Sequence, residues 1–254
     1  MSTRTNGTVN DLYPVISEFN YVVAKVNIGG TSYLLDATVP MLPFGLLPLH
    51  CINGKGRVIP LKKPSYWYDI AASQKQTTKY ILNATLTDEG ILKGELMTVS
   101  AGYRALQKRE RINEAGSADQ FVEALDEQMP HIKIGKHRID NVDSLENPLV
   151  EAYEIEMKLF DNMNNAQFYL NPFFINRTDK NPFNLNERSY PVDLGAAIDD
   201  RLTMTTQTGN TLVFHQLMQL NNPVYSPDDY LSLKEFFSRI IQFQKTDILL
   251  KKTK

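Results

Sequence analysis

The chain has 254 residues and a formal net charge of -2. It is long enough for one large domain or two ordinary ones, and too nearly neutral to carry an electrostatic footprint for nucleic acid. Apolar residues are 42% and charged residues 22% of the sequence, which excludes a largely disordered chain, and no apolar run reaches the roughly 18 residues of a membrane-spanning helix.

The start, MSTRTNGTVND, lacks the apolar centre of a signal peptide, and residues 1–18 read as a polar, peripheral lead-in. Residues 19–27 alternate and are rich in Val, the pattern of a strand. Gly29-Gly30 is a hairpin turn signal, and residues 32–35 return as a second strand that ends at Asp36. Pro40, Pro43 and Pro48 cannot donate to a strand ladder, so residues 39–49 predict an apolar segment packed across a sheet. Residues 53–56 predict a tight turn before a short strand at 57–61, and Lys62-Lys63-Pro64 marks a domain boundary. The aromatic cluster Tyr66, Trp67, Tyr68 beyond it reads as packing at a seam, with a ligand platform as the alternative.

The clearest hairpin comes next. Thr78, Tyr80, Leu82, Ala84 and Leu86 alternate with polar residues, residues 88–90 turn the chain, and residues 92–101 return. The period then becomes helical over 104–114, where Ala105, Leu106, Arg109 and Ile112 share a face before Gly116. Ser117 caps a second helix, with Gln120 placed for a capping box and Phe121, Val122 and Leu125 on one face before Pro130. Strand patterns follow around Gly135-Lys136, then at 152–160, 166–174, 188–194, 202–206 and 211–220, the last two flanking a turn at 208–210. Ser226-Pro227-Asp228-Asp229 starts a last helix with a stripe from Leu231 to Ile241, and residues 248–250 close as a short strand. The expected class is mainly β with a few helices (α+β). Residues 64–254 are expected to form a β-sandwich-like domain with inserted helices near 104–129 and a C-terminal helix near 227–244.

Residues that suggest chemistry are few. Cys51 is the single cysteine, so no intrachain disulfide can form, and a reactive thiol would need a base and a group to orient that base. On an extended chain His50 would point to the opposite face, leaving His131, His137 or His215 to arrive in space. The bland reading makes Cys51 a small buried hydrophobe. The histidines show no metal spacing, and no phosphate loop or cofactor motif is present. Residues 104–111 are a charge run, which reads as a solvated helix face. Asn83-Ala84-Thr85 and Asn176-Arg177-Thr178 match the glycosylation sequon.

Three stretches carry a family resemblance: FNYVVAKV…YLLDAT…LPFGLLPLHCINGKGRVI, then NPFNLNERSYPVDLG, then NNPVYSPDDYLSLKEFF…ILLKK. Together they resemble the C-terminal half of bacterial transglutaminase-like proteins, which join a papain-like core to a C-terminal β domain of unknown function. The resemblance implies that residues 1–63 are the tail of that core, a strand hairpin with a Pro-rich segment. In that superfamily a Cys at a helix start, a His at the beginning of one strand and an Asp at the end of the next form the triad. The resemblance places the Asp position on Asp36 and the His position on Tyr21, and puts the Cys upstream of residue 1. Cys51 follows the Asp and is not its counterpart. A phenol with a pKa of about 10 cannot replace imidazole as a base near neutral pH. The resemblance also implies more strands between Leu194 and Asn221 than the sequence offers, and an exported parent that is periplasmic or at the cell surface.

The function expected from these residues is a non-catalytic structural or interaction module, not an enzyme, with no metal and no cofactor. Its partner would be a protein, peptide or glycan, with neither nucleic acid nor a membrane span involved. The open edge of residues 19–36 is expected to be covered by the C-terminal domain or to pair with another chain. An alternative is a carbohydrate- or peptide-binding β module lined by Tyr66, Trp67 and Tyr68, or by Phe168, Tyr169, Phe173 and Phe174. A cysteine hydrolase or acyltransferase built on Cys51 is the remaining reading.

Overall fold

A computed structural model of the chain describes residues 1–129, 131–160, 167–208 and 210–251. Pro130, Ala166, Gly209, Lys252 and Lys254, and the ring of Phe168, all used in the sequence reading, lie outside the described residues.

The first element follows from two glycines. Gly29 and Gly30 have φ of 57° and 84°, the left-handed backbone that a two-residue hairpin turn demands. β1 (Ala24–Ile28) therefore returns directly as β2 (Thr31–Leu35), in a sheet of these two strands. The chain then runs irregularly through its prolines, with a single 3-10 turn at Leu49–Cys51. It enters a second ribbon, β3 (Gly54–Val58) paired with β4 (Tyr66–Ile70). The Lys62-Lys63-Pro64 turn, expected to separate two domains, is the link between these paired strands. Ile70, at the end of β4, packs with Met1, Leu47, Cys51 and Ile52 in one apolar cluster.

β5 (Gln76–Leu86) and β6 (Ile91–Gly102) form the long hairpin that the alternation predicted. Thr78, Leu82, Ala84, Leu92, Leu96 and Ser100 are buried, while Lys79, Asn83, Lys93 and Glu95 on the other face are exposed. At Gly102 the strand becomes α1 (Tyr103–Ala115) without a loop. A Cβ there would stand 2.1 Å from the Lys75 carbonyl, and φ is 58°; only glycine makes that corner. α1 ends at Gly116 in the left-handed conformation. Ser117 Oγ then accepts the Gln120 amide at 3.1 Å to start α2 (Ala118–Gln128).

β7 (Lys133–Asp140), β8 (Leu149–Lys158), β9 (Gln167–Leu170), β10 (Val192–Asp193), β11 (Ile198–Thr208), β12 (Asn210–Leu220) and β13 (Val224–Tyr225) follow, then α3 (Tyr230–Phe243) and β14 (Ile248–Lys251). Six strands form one mixed sheet in the order β12-β11-β5-β6-β8-β7, antiparallel except where β11 lies parallel to β5. α1 and α2 press Ala105, Ile112, Phe121 and Val122 onto its inner face. α3 packs Tyr230 and Leu233 with Leu220 of β12. Two small ribbons, β9 with β14 and β10 with β13, complete that layer. The chain is mainly β, an α+β protein, with three α-helices among the described residues. Of the sandwich-like layering expected for 64–254, one layer is a full sheet and the opposing one is helices and short ribbons. β11 and β12 are the long strands between Leu194 and Asn221.

α3 starts at Tyr230, later than its capping signal suggested. Ser226 Oγ donates to Asp229 Oδ2 at 2.6 Å and accepts the Asp229 amide at 3.2 Å, closing a turn before the helix begins. Leu231, expected in the buried stripe, is 61% exposed, because the helix presents Tyr230 and Leu233 inward instead.

Candidate functional site

The first ribbon brings the two positions singled out by the triad pattern into contact. Tyr21 Oη donates to Asp36 Oδ2 at 2.6 Å and lies 2.8 Å from Thr38 Oγ1. The other carboxylate oxygen accepts the Thr38 amide at 2.8 Å and its hydroxyl at 2.7 Å. The ring of His50 stands edge-on to Tyr21 with centroids 5.3 Å apart. His50 and Cys51 sit on a 3-10 turn, not on an extended segment, so the opposite-face argument does not apply: both converge on Tyr21. Cys51 is fully buried, and no hydrogen bond joins it to His50 among the described residues.

The electrostatics of this cluster quiet it. Burial favours the neutral form of Asp36, but the bonds from Tyr21 and Thr38 outweigh it and hold the carboxyl below its usual range. The Asp36 hydrogen bond pushes the Tyr21 phenol up. Burial, and then the Asp36 charge, push the Cys51 thiol up to about 11, against a smaller pull from the Met1 amino group and the Tyr21 hydroxyl. At neutral pH the thiol is therefore protonated, and the phenol beside it cannot take its proton.

The other histidines are engaged elsewhere or open to solvent. His137 Nε2 is 3.0 Å from Asp119, His215 Nδ1 is 3.2 Å from Thr203, and His131 is exposed. Among the described residues no group of three or more His, Cys, Asp or Glu could hold a metal ion, and no helix is long and apolar enough to cross a membrane.

The aromatic candidates divide by strand alternation. Tyr66 and Tyr68 face a cleft of about 1120 Å³ between the two ribbons. Trp67 points the other way, stacks on Phe19 and donates its indole N–H to the Asp11 carbonyl at 3.1 Å. Val23, Leu34 and Ile70 line the closed end of the cleft, and Ile16, Val22, Ile59, Leu61 and Tyr66 its mouth. Of the described members of the second aromatic set, Phe173 is buried, Phe174 packs against the main core, and Tyr169 is exposed.

Sequence reasoning misplaced one residue of the charge run. Arg109 is fully buried and donates to the carbonyls of Asn141, Ser144, Leu145 and Asn147. It clamps the loop between β7 and β8, and is not part of a solvated face. Its place in the apolar spacing of α1 was the signal for this.

The family described as Domain of Unknown Function with solved-structure structure (DUF3858) matches residues 202–250. That stretch holds most of β11, all of β12, β13 and α3, and the start of β14. No curated protein and no solved structure matches the chain. The Tyr21–Asp36 cluster and the cleft both lie outside the matched residues.

Proposed function

We propose that the chain is a non-catalytic structural or interaction module, the C-terminal part of an exported, bacterial transglutaminase-like protein in which the Cys-His-Asp triad is incomplete. The Tyr21–Asp36 pair carries this reading. A phenol holds the position of the base, its proton is committed to the acid, and the neighbouring thiol of Cys51 is buried with its pKa raised. General-base activation of a nucleophile needs an acceptor with a pKa near the working pH and in hydrogen-bond reach; the Tyr21 phenol is not one, and among the described residues no hydrogen bond joins the His50 imidazole to Cys51. The match over residues 202–250 is compatible with such a parent. The testing experiment incubates the full chain with a glutamine-containing protein and a fluorescent primary amine, and separately with a chromogenic ester. No turnover above buffer is expected; turnover abolished by Cys51→Ala overturns the reading.

A second reading, a peptide- or carbohydrate-binding module, is favoured by the open cleft beside Tyr66 and Tyr68. It is compatible with the first, since a module without chemistry still needs a surface through which to act.

A further inference from the structure

The cleft between the two ribbons is rimmed by exposed apolar side chains. Val22 and Ile16 are each 90% exposed at its mouth, with Ile59 at 81% and Leu61 fully exposed. Isolated apolar residues on a surface need no explanation, but several rimming one concavity mark a docking site. The charges there are one-sided. Lys25 lines the cleft, and the loop that carries Ile59 and Leu61 adds the exposed Lys62 and Lys63. Lys25 bonds the neutral oxygens of Asn27 and Ser32 and sits over the Tyr68 ring. Among the described residues it has no carboxylate partner. Arg57 stands opposite Trp67 in the ribbon, bonds Ser65 Oγ and lies over the Trp67 ring, on the face turned from the cleft.

We infer that this cleft binds an extended segment of a partner protein, aliphatic in its buried side chains and carrying Asp or Glu that meet Lys25 and the lysines of the rim, Lys62 and Lys63. Extension follows from the walls. Among the described residues each ribbon is a sheet of two strands, and the edge of such a ribbon can take an added strand through its main-chain groups. Aliphatic side chains of the segment would fill the space between Val23, Leu34 and Ile70 and the mouth, and its carboxylates would supply the missing charges. A second copy of this chain fits poorly, because self-pairing through this face would bring Lys25, Lys62 and Lys63 toward their like. The inference rests on the reading of the chain as an interaction module.

The test selects a displayed library of random linear peptides on the full chain, then repeats the selection on Leu61→Asp, on Lys25→Gln and on the double variant Lys62→Gln, Lys63→Gln. The expected result is a set of enriched sequences with alternating aliphatic residues and at least one acid. Their binding should fall roughly tenfold or more in each variant, while thermal melting of Leu61→Asp and of the double variant stays unchanged, as befits exposed positions. Three results overturn the inference: no enrichment that is sensitive to these substitutions, enrichment of basic peptides, or self-association by light scattering that Leu61→Asp abolishes. Bound peptides are also weighed. Intact peptide retained in the cleft supports both readings, whereas peptide cleaved after binding keeps the cleft assignment and removes only the non-catalytic one.

Discussion

The phenolic hydrogen of Tyr21 is directed at Asp36 Oδ2 across 2.6 Å. In a cysteine–histidine–aspartate triad that contact joins imidazole to acid, and the acid fixes the tautomer of a working base. Here it joins two groups that exchange no proton near neutral pH, because one pKa is raised and the other lowered. The geometry of an orienting pair is kept with a phenol where the triad pattern has an imidazole, and the bond ties the start of the first ribbon to its end.

Tyr21→Phe removes that tie without changing the ring. Stability at about pH 7 is expected to fall by about 1 kcal/mol, a partly exposed hydrogen bond to a charged group. Asp36 has a folded pKa below its unfolded value, so its contribution is present above the unfolded pKa and is lost as pH falls through the folded one. The gap between Tyr21→Phe and the parent should therefore narrow in urea titrations as pH is lowered below the unfolded carboxyl value of about 3.9. A gap that stays constant with pH contradicts the role given to Asp36.

Arg109→Met keeps the aliphatic stem and withdraws the guanidinium from the carbonyls of Asn141, Ser144, Leu145 and Asn147. A loss of about 3 kcal/mol is expected, since buried acceptors lose a charged donor. Arg109→Lys should not restore it, because an ammonium cannot span the fork. Hydrogen exchange over residues 141–148 should quicken in both. Glu146 of the same loop accepts the Phe44 amide at 2.9 Å, so the loosening should reach the 39–52 segment. A change within about 0.5 kcal/mol, the range of ordinary surface substitutions, contradicts the clamp.

Asp200 on β11 is buried, and that burial raises its pKa despite Arg104 at 3.6 Å. A carboxyl with a raised folded pKa contributes stability below its unfolded pKa, and that contribution is lost as pH rises through the folded value. Asp200→Asn removes the ionisation. The variant is expected to gain on the parent by about 1 kcal/mol between about pH 4 and about pH 7. Denaturant midpoints at the two pH values read this directly, and a variant that loses ground as pH rises contradicts it.

Local structure was legible wherever one rule acted alone. The β5–β6 alternation, the Ser117 cap and the Gly116 stop each appear where their chemistry places them, because strand period and capping are set by neighbours in sequence. Pairing across distance was not legible. β11 lies parallel to β5, with Ile198 opposite Gln76, and nothing in either strand names the other. The Lys62-Lys63-Pro64 turn looked like a boundary because prolines and charges mark hairpin links and linkers alike; only the partner strand tells them apart. Arg109 was misjudged because a charge type was weighed above its position on the helix. The contact between Tyr21 and Asp36 was reachable from the triad pattern, but the arrival of Cys51 and His50 beside it depended on a 3-10 turn at Leu49–Cys51 that the proline-rich segment did not announce.

The central claim is that Cys51 is chemically silent, and iodoacetamide labelling followed by intact mass tests it most directly. The native chain is expected to stay unmodified near neutral pH and to label only as pH approaches about 11, while the urea-unfolded chain labels at the rate of an ordinary thiol. Native Cys51 labelling at neutral pH faster than the unfolded chain would contradict the account.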